Sequence, residues 1–377
     1  MATIKKESFG KLSDGREVEL YTLRNTKGTE VKVTTYGARL VAWSAYGKDH
    51  KRTDIVLGYA DGAAYEKDDT SMGGLVGRHA NRIAGGKVTI DGKTYQLDLN
   101  TGSHNQNHIH GGFQGFHQKL WTAEETDQGV KFTYHAANGE GGYPGNMTVH
   151  VLYSLSNDNE LSIRYEAVSD ADTVCNLTNH AYFNLNGFAS GPVLDQKIQI
   201  FADKYTWADA ESLPDGRILD VAGTPMDLRQ LTRIGEHIDD DFDELVMGHG
   251  YDHNWVIRDE KPVVETKPGD PSCPIDPSCP IDYVGGGLKK AAYAESDQSG
   301  FTLTCYTTQP GVQFYTGNYL NGGLPGKDGV EFQRRTGFCL ETQYFPNAFA
   351  NPNFPQPILK KGDTWKAQTV YVLGQKD

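Results

Sequence analysis

The sequence predicts an all-β protein: a large antiparallel β-sandwich with few, short helices. Three observations carry this. Short apolar or alternating runs recur along the chain, whereas long apolar stripes of helical period are scarce. Turn-forming residues separate the runs, as in Asp91-Gly92, Asn138-Gly139 and Ser156-Asn157-Asp158-Asn159. No Gly-x-Gly-x-x-Gly follows a strand, so a dinucleotide-binding half is not expected.

Strands are predicted at 30–35, 40–46, 130–135, 148–155, 160–168, 197–202, 300–307, 312–316 and 368–373. In 130–135, Val130, Phe132 and Tyr134 alternate with Lys131, Thr133 and His135, the period of a half-buried strand. Helices are expected at 60–66 and around 228–234. No linker divides residues 1–377, so one domain is expected. A low-complexity segment at about 267–287 holds a direct repeat, Pro-Ser-Cys-Pro-Ile-Asp at 271–276 and again at 277–282. Its prolines forbid regular ladder pairing, and it reads as a surface insertion between strands.

Lys and Arg number 36 against 49 Asp and Glu, a net charge of −13. That balance repels nucleic acid and anionic membranes and disfavours phosphorylated substrates; a neutral small molecule suits it better. The first residues carry no apolar signal region, and no stretch approaches the ~20 apolar residues of a membrane helix. Five cysteines, at 175, 273, 279, 305 and 339, form no framework and suggest reduced thiols in the cytoplasm. Cys273 and Cys279, inside the repeat, are the pair free to join or to bind. The N-x-T sequons at Asn146 and Asn176 read as chance matches, the second lying in a strand.

The stretch 337–348, Gly-Phe-Cys-Leu-Glu-Thr-Gln-Tyr-Phe-Pro-Asn-Ala, is a strand ending in a Pro-Asn turn. Cys339 and Glu341 share one face of it and Phe338 and Leu340 the other. Far upstream, Thr178-Asn179-His180-Ala181-Tyr182-Phe183-Asn184-Leu185 sets a histidine among apolar residues. A carboxylate and an imidazole so placed suit proton transfer on a small molecule. The densest histidine run is 103–113, where strand geometry would aim His108 and His110 the same way, as in β-barrel metal sites. The completing carboxylate is missing, Glu124 being the next acid, so a hydrogen-bonding or proton-carrying role for His110 is preferred. Gly111-Gly112 beside it would let a ligand approach the backbone closely.

Asn81 and Arg82 offer several donors for a polyhydroxylated ligand, or an Arg fork that ties loops together. Asp252 opens a strand and reads equally as an acceptor of vicinal hydroxyls and as a turn acid. Gln313 and Tyr315 share a strand face, an amide beside a ring of the kind that binds sugars.

Together these segments resemble the aldose 1-epimerase (galactose mutarotase) family over nearly the whole chain. The matching stretches are Gly-Arg-His-Ala-Asn-Arg-Ile at 77–83, Asn-His-Ile-His-Gly-Gly at 107–112 and Thr-Asn-His-Ala-Tyr-Phe-Asn-Leu at 178–185. Tyr-Asp-His-Asn at 251–254, Gln-Pro-Gly-Val-Gln-Phe-Tyr-Thr-Gly-Asn at 309–318 and Gly-Phe-Cys-Leu-Glu-Thr-Gln at 337–343 follow in order. The resemblance implies a galactose mutarotase-like supersandwich with an open sugar cleft and no cofactor or metal. It implies Glu341 as general base, His180 as general acid and His110 assisting at the ring oxygen. Asn81, Arg82, Asp252 and Gln313 would hold the sugar hydroxyls. The expected partner is a small-molecule aldose, and the expected form is a cytoplasmic monomer or weak dimer. Three features depart from the family pattern: Thr-Trp-Ala-Asp-Ala-Glu at 206–211, His117 after Gly-Phe, and the Cys-Pro repeat. The first two would alter a cleft wall. Rival readings are a non-catalytic carbohydrate-binding sandwich, a hexose-6-phosphate epimerase, which needs an added basic cluster, and a metal-dependent β-barrel enzyme.

Overall fold

A computed structural model describes residues 2–259 and 287–376. The Cys-Pro repeat, with Cys273 and Cys279, lies outside the described residues. Cys175, Cys305 and Cys339 are free and buried.

Among the described residues the strands form one nine-stranded sheet, two five-stranded sheets and several two-stranded pairs. The N-terminal five-stranded sheet is a meander from Thr3–Lys11 to Arg52–Asp54. The nine-stranded sheet runs in spatial order Thr122–Thr126, Gly129–Ala136, Met147–Leu155, Glu160–Ser169, Thr364–Gln375, Phe301–Thr307, Lys289–Glu295, Lys197–Ile200 and Thr232–Arg233. The second five-stranded sheet orders Pro214–Asp220, Ala202–Ala208, Asp252–Ile257, Gly311–Tyr315 and Cys339–Gln343. Neighbouring strands in all three sheets pair antiparallel, the sandwich arrangement that the run-and-turn pattern predicts.

One core joins the three sheets. Leu23, Val31 and Trp43 from the first meet Val151, Ile163 and Tyr371 from the second and Trp255, Phe314 and Leu340 from the third. Phe301–Thr307 shows the expected alternation of buried and half-buried residues, because one face of that sheet meets the core. Gly311–Tyr315 and Cys339–Gln343 are buried on both faces. Phe314 and Leu340 turn into the core, so their neighbours at 313, 315, 339 and 341 project from the opposite face. That second buried face carries the polar side chains discussed below.

The predicted strand at 197–202 is divided between sheets: Lys197–Ile200 ends in the large sheet and Ala202–Ala208 begins in the other. The helix expected at 60–66 forms at Gly62–Glu66, with the Asp61 carboxylate accepting the Ala64 amide at 2.8 Å. The helix expected around 228–234 does not form. The Ile200 amide donates to the Leu228 carbonyl at 2.7 Å and the Ile234 amide to the Gln196 carbonyl at 2.9 Å. Backbone groups committed to neighbouring segments are lost to a helical ladder. The other α-helix among the described residues is Asp243–Met247, which opens with two acids where the macrodipole favours them. No described helix is long and apolar enough to cross a membrane.

A fully buried ion pair fixes the loop that precedes the short strand Leu75–Val76. Arg39 Nη1 lies 2.7 Å from Asp68 Oδ2, and the guanidinium also donates to the carbonyls of Met72 and His117. Asp68 accepts the amides of Thr70 and Met72 and the hydroxyls of Tyr59 and Thr70. Asp68→Asn keeps an acceptor but strands the buried Arg39 charge. It is expected to lower stability by about 2–3 kcal/mol, measured as a shift of the urea midpoint at unchanged slope. An unshifted midpoint would mean that the pair does not hold the loop.

Candidate active site

A cavity of about 240 Å³ opens over the polar face of the second five-stranded sheet. Its lining includes Asn81, Arg82, His110, His180, Asp252 and Glu341. These come from widely separated parts of the sequence. A larger cavity of about 570 Å³ lies elsewhere, bordered by Lys48, Asp49, Asp297 and Lys376, and holds no acid–imidazole pair.

Strand register assembles the floor. Asp252 pairs with Tyr315 and Tyr315 with Cys339, while Asn254 pairs with Gln313 and Gln313 with Glu341. Partners across a ladder project to the same side, so Asp252, Gln313, Tyr315, Cys339 and Glu341 share one face. His180 arrives just after the short strand Thr178–Asn179, and its Nε2 stands 3.6 Å from Glu341 Oε1. Both side chains are buried, and Glu341 Oε2 is a buried oxygen without a hydrogen-bond partner. The His180 ring stacks on Tyr182 at 5.0 Å and meets the His110 ring edge-to-face at 5.3 Å.

Arg82 and Asp252 face each other with Nη1 and Oδ2 3.7 Å apart. Gln313 is not part of the lining. Its Nε2 donates to Asp252 Oδ1 at 2.7 Å, so it grips the acid from behind instead of presenting its amide to the cavity. Asn81 sits at φ 65° and its amide N–H donates to His110 Nδ1 at 3.2 Å, while the His110 amide donates back to the Asn81 carbonyl.

The expected strand alternation fails at His110. The strand is only His108–Ile109, and His110 turns to φ 51°. His108 is directed elsewhere, with its ring nitrogens 2.6 Å from the Tyr143 hydroxyl and 2.8 Å from the Asp98 carbonyl. The two histidines are therefore not a ligand pair. Nor do the two glycines open the backbone to a ligand. A Cβ at Gly111 would lie 1.8 Å from the Gly77 carbonyl and one at Gly112 2.5 Å from Asp98. They let the chain pack against itself.

Nitrogen and oxygen atoms of His110, His180 and Glu341 lie within 4.8 Å of one another, which by distance alone would serve a metal ion. At His110, hydrogen bonding does not suit a metal ligand. Because His110 Nδ1 accepts an amide hydrogen, the neutral ring carries its own hydrogen on Nε2. A metal-bound imidazole does the reverse, donating from its second nitrogen.

Burial sets the protonation. It pushes the Glu341 carboxyl well above the ordinary range, Asp252 adding to the effect and Arg82 opposing it. Burial also pushes His180 down to about 4, against weaker pulls from its own backbone, Asp252 and Asp68. His110 is held well below its usual value by burial and by the His180 charge. Burial thus favours the neutral forms, a protonated carboxyl beside uncharged rings, over the ion pair. The charged arrangement expected from ordinary pKa values contains the same number of protons and differs only in where one resides.

Several lining residues carry no sequence signal. Asp69, Thr70 and Ser71 form one wall, tied down by the Asp68 network and by the Tyr182 hydroxyl, which donates to the Thr70 carbonyl at 3.1 Å. Tyr319, Leu320 and Asn321 also border the cavity, with Tyr319 half-exposed and stacked near Tyr315. Neither His117 nor the 206–211 segment lines the cavity, so those two departures do not alter its wall.

The profile of the family described as Aldose 1-epimerase matches residues 19–372. Galactose mutarotase of Rattus norvegicus is 37% identical over 370 residues, 98% of each chain. Aldose 1-epimerase of Escherichia coli (strain K12) is 34% identical over 95% of this chain and 96% of its own. Among solved structures, galactose 1-epimerase from Lactobacillus acidophilus NCFM superposes with a TM-score of 0.81 at 27% identity, covering all of both chains. An aldose epimerase homologue from C. elegans gives 0.79 at 24% identity, again covering all of both chains. With agreement of this extent in both sequence and fold, the chain belongs to the aldose 1-epimerase family.

Proposed function

We infer that the protein interconverts the α- and β-anomers of free hexoses such as glucose and galactose, with Glu341 as general base and His180 as general acid. The observation that carries this reading is the 3.6 Å approach of His180 Nε2 to a buried Glu341 whose second oxygen has no partner. Anomer exchange requires a proton to leave the C1 hydroxyl while another reaches the ring oxygen. After rotation about C1–C2 the ring closes on the other face with the roles reversed. Concerted transfer avoids a free alkoxide or oxocarbenium ion, and each positioned group contributes typically ~10²–10⁴-fold.

Sugar binding supplies the reason for the proton to move. An anomeric hydroxyl donating to Glu341 favours the carboxylate, and a ring oxygen accepting from His180 favours the imidazolium. His110, with its hydrogen on Nε2, adds a donor at the ring oxygen. Arg82, Asp252 and Asn81 hold the remaining hydroxyls, and Gln313 acts through Asp252. A phosphate finds little welcome. Arg82 is the only Lys or Arg among the described lining residues, and it faces Asp252.

The test is polarimetry on freshly dissolved α-D-galactose and α-D-glucose. Mutarotation well above the spontaneous rate is expected, and an unchanged rate would leave a sugar-binding sandwich without catalysis. In the same assay Arg82→Ala is expected to raise KM about tenfold or more with a smaller loss in kcat, since it removes binding shared by ground and transition states. Unchanged constants would take Arg82 out of the site.

A further inference from the structure

We propose that Cys339 is a positioning residue for the proton transfer: its sulfur holds the Nδ1 side of His180, so that Nε2 alone exchanges a proton with the sugar. The inference rests on the catalytic reading above and adds a residue to it. Cys339 Sγ lies 3.6 Å from His180 Nδ1, within reach of a hydrogen bond to sulfur, while Nε2 of the same ring faces Glu341. The contact is built into the fold. Cys339 and Glu341 are two residues apart on one strand face, so a single strand touches both nitrogens of one imidazole.

The chemistry of sulfur suits this place. An acid at that position would bind the imidazolium tightly and make His180 a sluggish proton donor. A protonated carboxyl facing Nε2 leaves the ring's own hydrogen on Nδ1, and a thiol accepts that hydrogen only weakly, so the contact orients the ring without trapping the charge. The thiol itself stays protonated, because burial and the charges of Glu341 and Asp252 raise it well above its usual value. It is therefore a hydrogen-bonding group and no nucleophile. The other side chains facing the ring leave Nδ1 to the sulfur, while the residue's own backbone also hydrogen-bonds the imidazole. Tyr182 stacks on the ring face, His110 and Tyr315 meet it edge-to-face, and Glu341 stands at Nε2. Asp252, Asp68, Arg39 and His117 act on it only as more distant charges.

The experiment compares the wild type with Cys339→Ala, Cys339→Ser and Cys339→Asp, each checked by its unfolding midpoint. Long-range ¹H–¹⁵N spectra of the imidazoles read the tautomer without reference to activity, so this arm stands even if the sugar chemistry were otherwise. Neutral His180 is expected to hold its hydrogen on Nδ1 in the wild type and in Cys339→Ser, and on both nitrogens in mixture in Cys339→Ala. Polarimetry should show kcat lower by about five- to tenfold in Cys339→Ala, with KM within about twofold and recovery in Cys339→Ser. Cys339→Asp should move the acid limb of the pH profile upward by about one unit or more. A wild-type tautomer in Cys339→Ala, or an acid limb unmoved in a folded Cys339→Asp, would overturn the proposal. Should Cys339→Ala fail to fold, the tautomer of the wild type decides: a hydrogen on Nε2 alone overturns it as well.

Discussion

Glu341→Gln should lose about 10²–10⁴-fold in kcat/KM, about 3–5 kcal/mol of transition-state stabilisation, while the folded protein holds or gains stability. The amide fills the space of the carboxyl and can still accept the anomeric hydroxyl, so sugar binding changes little. It cannot take the proton. The stability half of the expectation follows from burial. Glu341 is 2% exposed, one of its oxygens has no partner, and Asp252 raises its pKa further. An ionisable group kept under those conditions costs the fold free energy that a neutral amide avoids. Polarimetry gives the rate and urea unfolding the midpoint. Near-wild-type kinetics would remove Glu341 from the base role. A lost rate accompanied by a collapsed midpoint would assign the residue a structural part instead.

Much of this site was legible in the sequence because β-structure has a period of two. Once residues 337–343 read as a strand, Glu341 and Cys339 fell on one face and Phe338 and Leu340 on the other, and the core contacts of Leu340 agree. Pairing register was not legible. Nothing in the sequence says that Gln313 lies behind Asp252, because that depends on Asn254 pairing with Gln313 across a ladder joining distant segments. Strand alternation misplaces His110, because one left-handed residue ends the alternation and a histidine in that conformation has no sequence mark. The walls at 69–71 and 319–321 escaped for a related reason. They are loops, positioned by a buried Arg39–Asp68 pair and by ring contacts that no local pattern encodes. The same distinction explains the segment 228–234, where Leu228 and Ile234 enter the core and backbone donors and acceptors are taken by neighbouring segments.

His180→Asn is expected to cost a similar ~10²–10⁴-fold, and its pH dependence should identify which partner was lost. In the wild type the pair holds one mobile proton. As pH falls through about 4, His180 takes a second proton while Glu341 keeps its own, and no base remains. As pH rises through the elevated Glu341 value, the pair gives up its only mobile proton and no acid remains. The kcat/KM profile is therefore a bell whose acid limb lies near 4 and belongs to the imidazole, the reverse of the assignment that ordinary pKa values suggest. Each single variant should keep one side of that bell. With asparagine at 180 the surviving rate depends on ionised Glu341 and should climb with pH; with glutamine at 341 it depends on protonated His180 and should climb as pH falls. The double variant should be little worse than either single one, because a base without an acid has no partner for concerted transfer. Residual rates with the same pH slope in both single variants, after subtraction of the spontaneous reaction, would show that the two side chains do not divide the work in this way.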